Sequence, residues 1–303
     1  MIENVLCAYQ MLNEGKRLRG IGKLGLIAGA GDLPLLILER AKSLQIPVHT
    51  VLLDGVSDEE RFPDNSLCFP IGSIGKIIKS LHDAECKSIC FAGQIKRPDF
   101  NKLELDAYGL KNLPSILLAA SRGDDFLLRA IMKLFEKQGF QIIGPQEIVD
   151  NLIAPTGLLN NILPSKQDLL DIRKSHDIAR AIGDLDIGQG VVVCNGLVLA
   201  VEAQEGTNKM LHRCAELDEN IRGTLTNRAG VLVKCIKPNQ EEKVDMPTLG
   251  VKTVQLAIEA GLAGIGFVAG KTFLIDKHSM CSLAEENGLF LLGINEQDNY
   301  ENN

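Results

Sequence analysis

Lys23-Leu24-Gly25-Leu26-Ile27-Ala28-Gly29-Ala30-Gly31-Asp32-Leu33-Pro34 is the stretch whose reading decides the fold. The aliphatic run over 23–29 is too short for a helix and ends in glycine, which marks a buried strand. Asp32 and Pro34 then have the chemistry of a helix start, a capping carboxylate with proline in the first turn. That helix is predicted to continue to about Leu44. A strand that turns on glycines into a helix is the opening unit of a parallel α/β sheet.

The same alternation continues outward. Residues 48–53, 68–71, 88–93 and 141–144 read as further strands, with helical sequence over 74–82, 114–120 and 126–137. Strands alternating with helices predict a parallel sheet covered on both faces. The stretch 153–165 (IAPTGLLNNILPS) breaks the pattern with two prolines, a glycine and two asparagines, and reads as a connection between domains. A second alternation follows, with helices over 168–182, 208–221, 251–260 and 277–287 and strands over 191–202, 231–236, 265–276 and 289–294. The predicted fold class is therefore α/β, with two α/β domains. An N-terminal extension spans 1–22, a Rossmann-like parallel-sheet domain 23–152, a linker 153–165, a C-terminal α/β domain 166–297 and a disordered tail 298–303. In the extension Ile2, Val5, Leu6, Tyr9 and Leu12 recur at helical spacing.

Composition removes several function classes. The net charge of −7 and the lack of stacking aromatics (no Trp, Tyr 3) exclude a nucleic-acid-binding surface. No run reaches the roughly 18 apolar residues of a membrane span. Nor do the first twenty residues read as a secretory signal: Glu3 comes early, and Lys16, Arg17 and Arg19 follow the apolar part. None of the eight cysteines forms a C-x-x-C pair, so they read as free thiols in a reducing compartment. The five histidines are scattered, which argues against zinc.

Several motifs carry chemistry, each beside an ordinary structural reading. Gly29 and Gly31 let an anion approach a helix N-terminus, and Asp54 lies 23 residues after Gly31, where a dinucleotide fold keeps its ribose-binding acid. A nicotinamide or nucleotide-sugar oxidoreductase is thus an alternative, although Pro34 stands where the third glycine of the fingerprint belongs. The same glycines also serve simple packing. In Phe91-Ala92-Gly93-Gln94-Ile95-Lys96-Arg97, Lys96 and Arg97 are placed to hold phosphate at a strand's C-terminal end, or are solvated cations. Asp124 and Asp125 offer metal carboxylates or a helix cap. In the second half Gln189 precedes a strand, and Glu202, Gln204 and Glu205 leave one. One of these three suits a hard cation such as Mg²⁺. The loop over 237–250 brings Lys237, Gln240, Asp245 and Thr248, with Asp245 read as a catalytic carboxylate or a cap.

Taken together, KLGLIAGAGDLP, IGSIGKI, FAGQIKRPDF, RGDD, LDIGQGVVV, GLVLAVEAQEGT, KPNQEEKVDMPTLG and AGLAGI, in this order, resemble the LpxI-type UDP-2,3-diacylglucosamine pyrophosphatases. The resemblance runs from Lys23 to about Asn295. It implies a cytoplasmic enzyme of lipid A synthesis, peripherally associated with the inner-membrane leaflet. Such an enzyme converts UDP-2,3-diacylglucosamine to UMP and 2,3-diacylglucosamine 1-phosphate (lipid X) by water attack on the α-phosphorus, assisted by Mg²⁺ or Mn²⁺. It implies two domains with the lipid between them, the essential aspartate at Asp245, and substrate contacts at Gly31 and over 91–94. The family's usual asparagine after FAG is Gln94 here. The full expected substrate set is Gly29, Gly31, Phe91, Ala92, Gly93, Gln94, Lys96, Arg97, Gln189, Gln204, Lys237, Gln240 and Thr248. The expected metal ligands are Asp245, Asp124, Asp125 and Glu202. A non-catalytic nucleotide-lipid binding protein is the third reading, and a homodimer is an open option for assembly.

Overall fold

The structure, a computed structural model, describes residues 21–237 and 244–295. The helix expected over 2–12, Gln240 and the tail over 298–303 lie outside the described residues. Backbone packing divides the chain into two units, which meet between Asp150 and Asn151.

In the first unit β1 (Leu24–Ala28), β2 (Val48–Leu53), β3 (Leu67–Phe69), β4 (Ser88–Ala92) and β5 (Gln141–Ile142) form one sheet in the order β3-β2-β1-β4-β5. Every neighbouring pair is parallel, which is the Rossmann-like order. β1 and β4 are buried along their whole length, as strands covered on both faces must be. The helices are α1 (Leu33–Ser43), α2 (Ile74–Asp83), α3 (Ala107–Ala120) and α4 (Asp124–Glu136). In α2 the buried Ile74, Ile77, Ile78 and Leu81 make one apolar stripe at helical spacing.

α3 starts well before Pro114, where the proline was expected to open it. Asp106 is the true start: its carboxylate accepts from Gly109 N at 2.8 Å and also from Lys76 N at 2.8 Å, at the start of α2. A capped first turn nucleates the helix, and Pro114 is carried inside it.

The second unit contains β6 (Gly157–Leu158), α5 (Lys166–Asp184), β7 (Gly190–Cys194), β8 (Leu197–Val201), α6 (Gly206–Ala215) and β9 (Val231–Lys234). β10 (Thr248–Leu249), α7 (Val251–Glu259), β11 (Gly264–Val268), β12 (Phe273–Leu274), α8 (Lys277–Glu286) and β13 (Phe290–Ile294) follow. Six strands make a mixed sheet in the order β6-β13-β11-β9-β7-β8. β9, β11 and β13 are parallel, whereas β6, β7 and β8 join by antiparallel pairing. One face packs Leu232, Phe267 and Leu291 against Met210, Val254 and Met280 from α6, α7 and α8. The other packs Val191 and Val233 against Ile172 and Ala179 of α5.

Two segments read as single long strands are each divided. The stretch 191–202 is a hairpin of β7 and β8, turning at Asn195 (φ 49°) and Gly196 (φ 77°). Asparagine and glycine tolerate the left-handed backbone that a two-residue hairpin turn demands. Asp171 of α5 accepts from both turn amides, Asn195 N and Gly196 N, at 2.7 Å each. The stretch 265–276 ends its first strand at Val268 and resumes as β12, which pairs in parallel with β10 instead. Residues 153–165 carry β6, which pairs antiparallel with β13. Within that stretch Leu159 and Ile162 pack onto the second unit's cores, while Leu163 is exposed.

Candidate functional site

In the first unit the loops leaving β1 and β4 close on each other. Ala30 and Gln94 exchange backbone hydrogen bonds at 2.9 Å each, and Gly29 N donates to Ala92 O at 2.7 Å. A Cβ on Gly29 would lie 2.7 Å from Gln94 O, and one on Gly93 2.6 Å from Ala30 O. Gly93 also has φ +91°. These two glycines therefore exist for loop–loop contact. Gly31, at φ +96°, faces open space. A dinucleotide fold passes its pyrophosphate over this first turn; here the turn is bridged to the neighbouring loop.

The remaining first-unit candidates separate by environment. Phe91 and Ala92 are buried, and the Phe91 ring stacks edge-on against Phe135 at 5.3 Å. The Gln94 and Lys96 side chains are exposed. Arg97 binds Asp124 Oδ1 at 3.1 Å and Ala120 O at 2.8 Å, and lies over the Phe100 ring. It thereby answers the partial negative charge at the end of α3 and the Asp124 carboxylate at the start of α4. Asp125 is buried beside Arg129, 3.1 Å away. Asp54 forms an exposed cluster with Glu59 and Cys68, the one group of three metal-ligating side chains within mutual reach among the described residues. Desolvation, and then the Glu59 carboxylate, push the Cys68 thiol up to about 12. It stays protonated at neutral pH and makes a poor metal ligand.

In the second unit polar groups converge where β7 begins and β8 and β9 end. Gly190 pairs with Lys234 across the β7–β9 ladder, and on its other side its carbonyl accepts from Glu202 N at 2.8 Å. Glu202, Gly190 and Lys234 thus stand side by side on three adjacent strands. Side chains alternate along strands, so all three face the same side as Leu232, Val192 and Ala200.

Glu202 is only 6% exposed. Its Oε1 accepts from Thr207 Oγ1 at 2.8 Å, while its Oε2 has no partner among the described residues. A Cβ at Gly190 would meet that Oε2 at 2.6 Å, and one at Gly188 would meet the Glu202 carbonyl oxygen at 2.0 Å. The two glycines of DIGQG are therefore explained by the passage of Glu202. Gln189 lies between them, with a buried side-chain oxygen that also has no partner among the described residues.

Lys234 is 5% exposed, and its Nζ reaches one acceptor, the carbonyl oxygen of Thr248, at 3.3 Å. Thr248 opens β10, and the half-buried Asp245 lies three residues before it. Lys237 donates to Asp186 Oδ1 at 2.6 Å. Gln204 is exposed, and Glu205 is held by Arg213 at 2.5 Å. The sequence reading missed Lys234, Gly190 and Thr207. The signal available for Lys234 was a charged residue inside the aliphatic strand Val231-Leu232-Val233-Lys234-Cys235.

Both halves of the chain match known domain families. Residues 23–152 match the LpxI N-terminal domain and residues 155–292 the LpxI C-terminal domain. The chain is 47% identical over 278 residues to the UDP-2,3-diacylglucosamine pyrophosphatase LpxI of Caulobacter vibrioides, covering 91% of this chain and 99% of that relative. Among solved structures, the NAD complex of Thermus thermophilus UDP-glucose 4-epimerase aligns with 14% identity and a TM-score of 0.25, covering 48% of this chain and 41% of the epimerase. N5-carboxyaminoimidazole synthase from Aspergillus clavatus aligns with 12% identity and a TM-score of 0.21, covering 61% of this chain and 41% of the synthase. Those two scores are too low to argue from.

Proposed function

The chain belongs to the LpxI family, and on that premise we propose that it hydrolyses UDP-2,3-diacylglucosamine to UMP and 2,3-diacylglucosamine 1-phosphate, a step of lipid A synthesis. The observation that carries this reading is the match to the Caulobacter relative, which spans nearly the whole of both chains. The polar edge of the second unit supports it, since hydrolysis of a diphosphate needs carboxylates and cations in a partly dry place.

In this reading water attacks the α-phosphorus. The bond from that phosphorus to the bridging oxygen breaks, and the bridging oxygen leaves with the sugar phosphate. Asp245 stands beside the reacting group, where its carboxylate holds a metal ion or orients the water and takes its proton. Metal ligation is the role favoured here, because an ordinary aspartate is a weak base.

Mg²⁺, or Mn²⁺ in its place, fits the donors of the second unit. Glu202 brings a buried carboxylate oxygen without a partner, Gln189 a buried amide oxygen without one, and Asp245 a half-buried carboxylate. Hard cations take oxygen ligands of this kind. Asp124 and Asp125 each face an arginine, so the proposed ligands narrow to Asp245 and Glu202. When bound, the ion would supply positive charge to the phosphoryl oxygens of the transition state.

The substrate's two acyl chains bring the enzyme to the inner leaflet, since each exposed CH₂ costs about 0.8 kcal/mol. In this reading the contact is peripheral; among the described residues no helix is long and apolar enough to cross a membrane.

The deciding experiment is incubation of the purified chain with UDP-2,3-diacylglucosamine and Mg²⁺. Equal release of UMP and lipid X is expected, abolished by EDTA and restored by Mg²⁺ or Mn²⁺. Tight binding without turnover would make it a binding protein. Stabilisation by NAD(H) without UMP release would make it an oxidoreductase. Full turnover after exhaustive chelation would remove the metal from the reading.

A further inference from the structure

We propose that Lys234 is a catalytic residue that takes phosphoryl oxygens of the substrate diphosphate, beside Gly190 and the Glu202 carboxylate that lies over it. The inference rests on the diphosphate reading above and adds a residue that the sequence motifs did not mark.

The argument starts from an imbalance. An ammonium group has three donors, yet Lys234 Nζ spends itself on one long bond to a carbonyl. Among the described residues no carboxylate lies within ion-pair distance of it. A lysine this buried is held at a desolvation cost that a single neutral acceptor does not offset. Two strands away Glu202 shows the mirror image, a buried carboxylate with one oxygen satisfied by Thr207 and the other by nothing.

The two charges do not answer each other. Adjacent strands lie about 4.8 Å apart, so residues flanking a common neighbour start nearly twice that distance apart, and no ion pair forms between them. The strand between them carries glycine at the shared level. The space that a side chain would occupy there is held by the Glu202 carboxylate, whose free oxygen stands 2.6 Å from the place of a Cβ. An occupant that reaches Lys234 here thus meets an ammonium on one side and that carboxylate oxygen on the other. That occupant must present anionic oxygens to Lys234 and a cation or hydrogen-bond donor to Glu202. A phosphoryl group with its divalent ion, or with a nucleophilic water, offers both. A lone phosphate or a lone metal ion satisfies only one wall.

Position agrees with this chemistry. Lys234 is the last residue of a parallel strand, and ligands of α/β sheets bind beyond such strand ends. Its one acceptor is the backbone of Thr248, in the segment that also carries Asp245. A lysine drawn toward a phosphoryl oxygen thus stays next to the segment that carries the proposed catalytic aspartate.

The competing role is a structural tie from β9 to β10 through the Thr248 carbonyl. Lys234→Met separates the two, because it keeps the length of the side chain and removes only the charge. The readouts are UMP release from UDP-2,3-diacylglucosamine, the melting temperature without ligand, and the rise in melting temperature caused by inorganic pyrophosphate with Mg²⁺. We expect kcat/KM to fall about 10²–10³-fold, the size of losing one preorganised charge-stabilising group. The unliganded melting temperature should hold or rise, since an uncompensated buried charge has gone. The pyrophosphate-induced rise present in the wild type should disappear. Lys234→Gln, which also removes the charge, should abolish the same rise and keeps the test decisive if Lys234→Met fails to fold. A lysine variant with turnover within threefold of wild type, or with the pyrophosphate response intact, overturns the proposal; so does a wild type that pyrophosphate does not stabilise. If the wild type releases no UMP the diphosphatase reading fails, and the pyrophosphate comparison still decides the role of Lys234.

Discussion

Ala30 and Gln94 lie on different loops of the first unit, yet each donates its backbone N–H to the other's carbonyl at 2.9 Å. This bridge joins the turns after β1 and β4 at the sheet edge where a Rossmann-like fold binds ligands. It also makes glycine obligatory at position 93.

Gly93→Ala should be costly for that reason. The new Cβ would lie 2.6 Å from Ala30 O at a backbone φ of +91°. Backbone strain and a clash with a fixed carbonyl together are worth about 3 kcal/mol. Urea unfolding should show the loss. A variant as stable as wild type would mean that the loop bridge opens freely in solution. NAD(H) should leave the wild-type melting temperature unchanged, because Pro34 stands where the third glycine of the dinucleotide fingerprint belongs.

Asp171→Ala should weaken the second unit without touching its chemistry. The carboxylate is 1% exposed and receives both amides of the Asn195-Gly196 turn. Charge-assisted bonds of this kind are individually strong, but water reaches the exposed turn amides once the carboxylate is gone, so the net loss should be about 2 kcal/mol. UMP release per folded molecule should stay within a few-fold of wild type. A larger loss of turnover at full stability would place Asp171 in the site.

Asp276 should impose a pH dependence at the acid end. Its side chain accepts from Ser279 N at 3.2 Å at the start of α8, and hydrogen bonds from Ser279 hold its carboxyl below the usual 3.8. A folded pKa below the unfolded one means that the stabilisation is complete above about pH 4. It is lost as pH falls through the lower folded value. Urea midpoints of wild type and Asp276→Ala should therefore differ at pH 6 and converge toward pH 3. A gap that persists at the lowest pH would assign the effect to packing rather than charge.

Asp245→Ala should separate chemistry from folding. Loss of a metal ligand or positioned base is worth about 4 kcal/mol of barrier, a fall in kcat of roughly 10³-fold. A lost cap would cost only about 1 kcal/mol of stability. Removal of one negative charge should leave the anionic substrate bound at least as firmly, so the variant should retain lipid through purification. Near-normal turnover in a folded variant would reduce Asp245 to a turn residue.

Most elements of both units were legible in the sequence because helix and strand periodicity, caps and glycine turns are decided by near neighbours in the chain. The apolar stripe of α2, the strand from Leu24 and the alternation that builds the parallel sheet all follow from such local rules. Where two local signals competed the reading erred: Pro114 drew the start of α3 away from Asp106, and the aliphatic residues on both sides outweighed the Asn195-Gly196 turn that interrupts them. Motif order pointed to the loops that carry the proposed site residues Gln189, Glu202 and Asp245. What sequence did not reveal was the level at which strands pair. Register alone puts Gly190 between Glu202 and Lys234, and folding alone leaves one oxygen of that carboxylate and most of that ammonium without partners. In the unfolded chain Lys234 is an ordinary solvated lysine. Only when the packed sheet takes it out of water does its charge need a partner, and that need depends on residues distant in sequence.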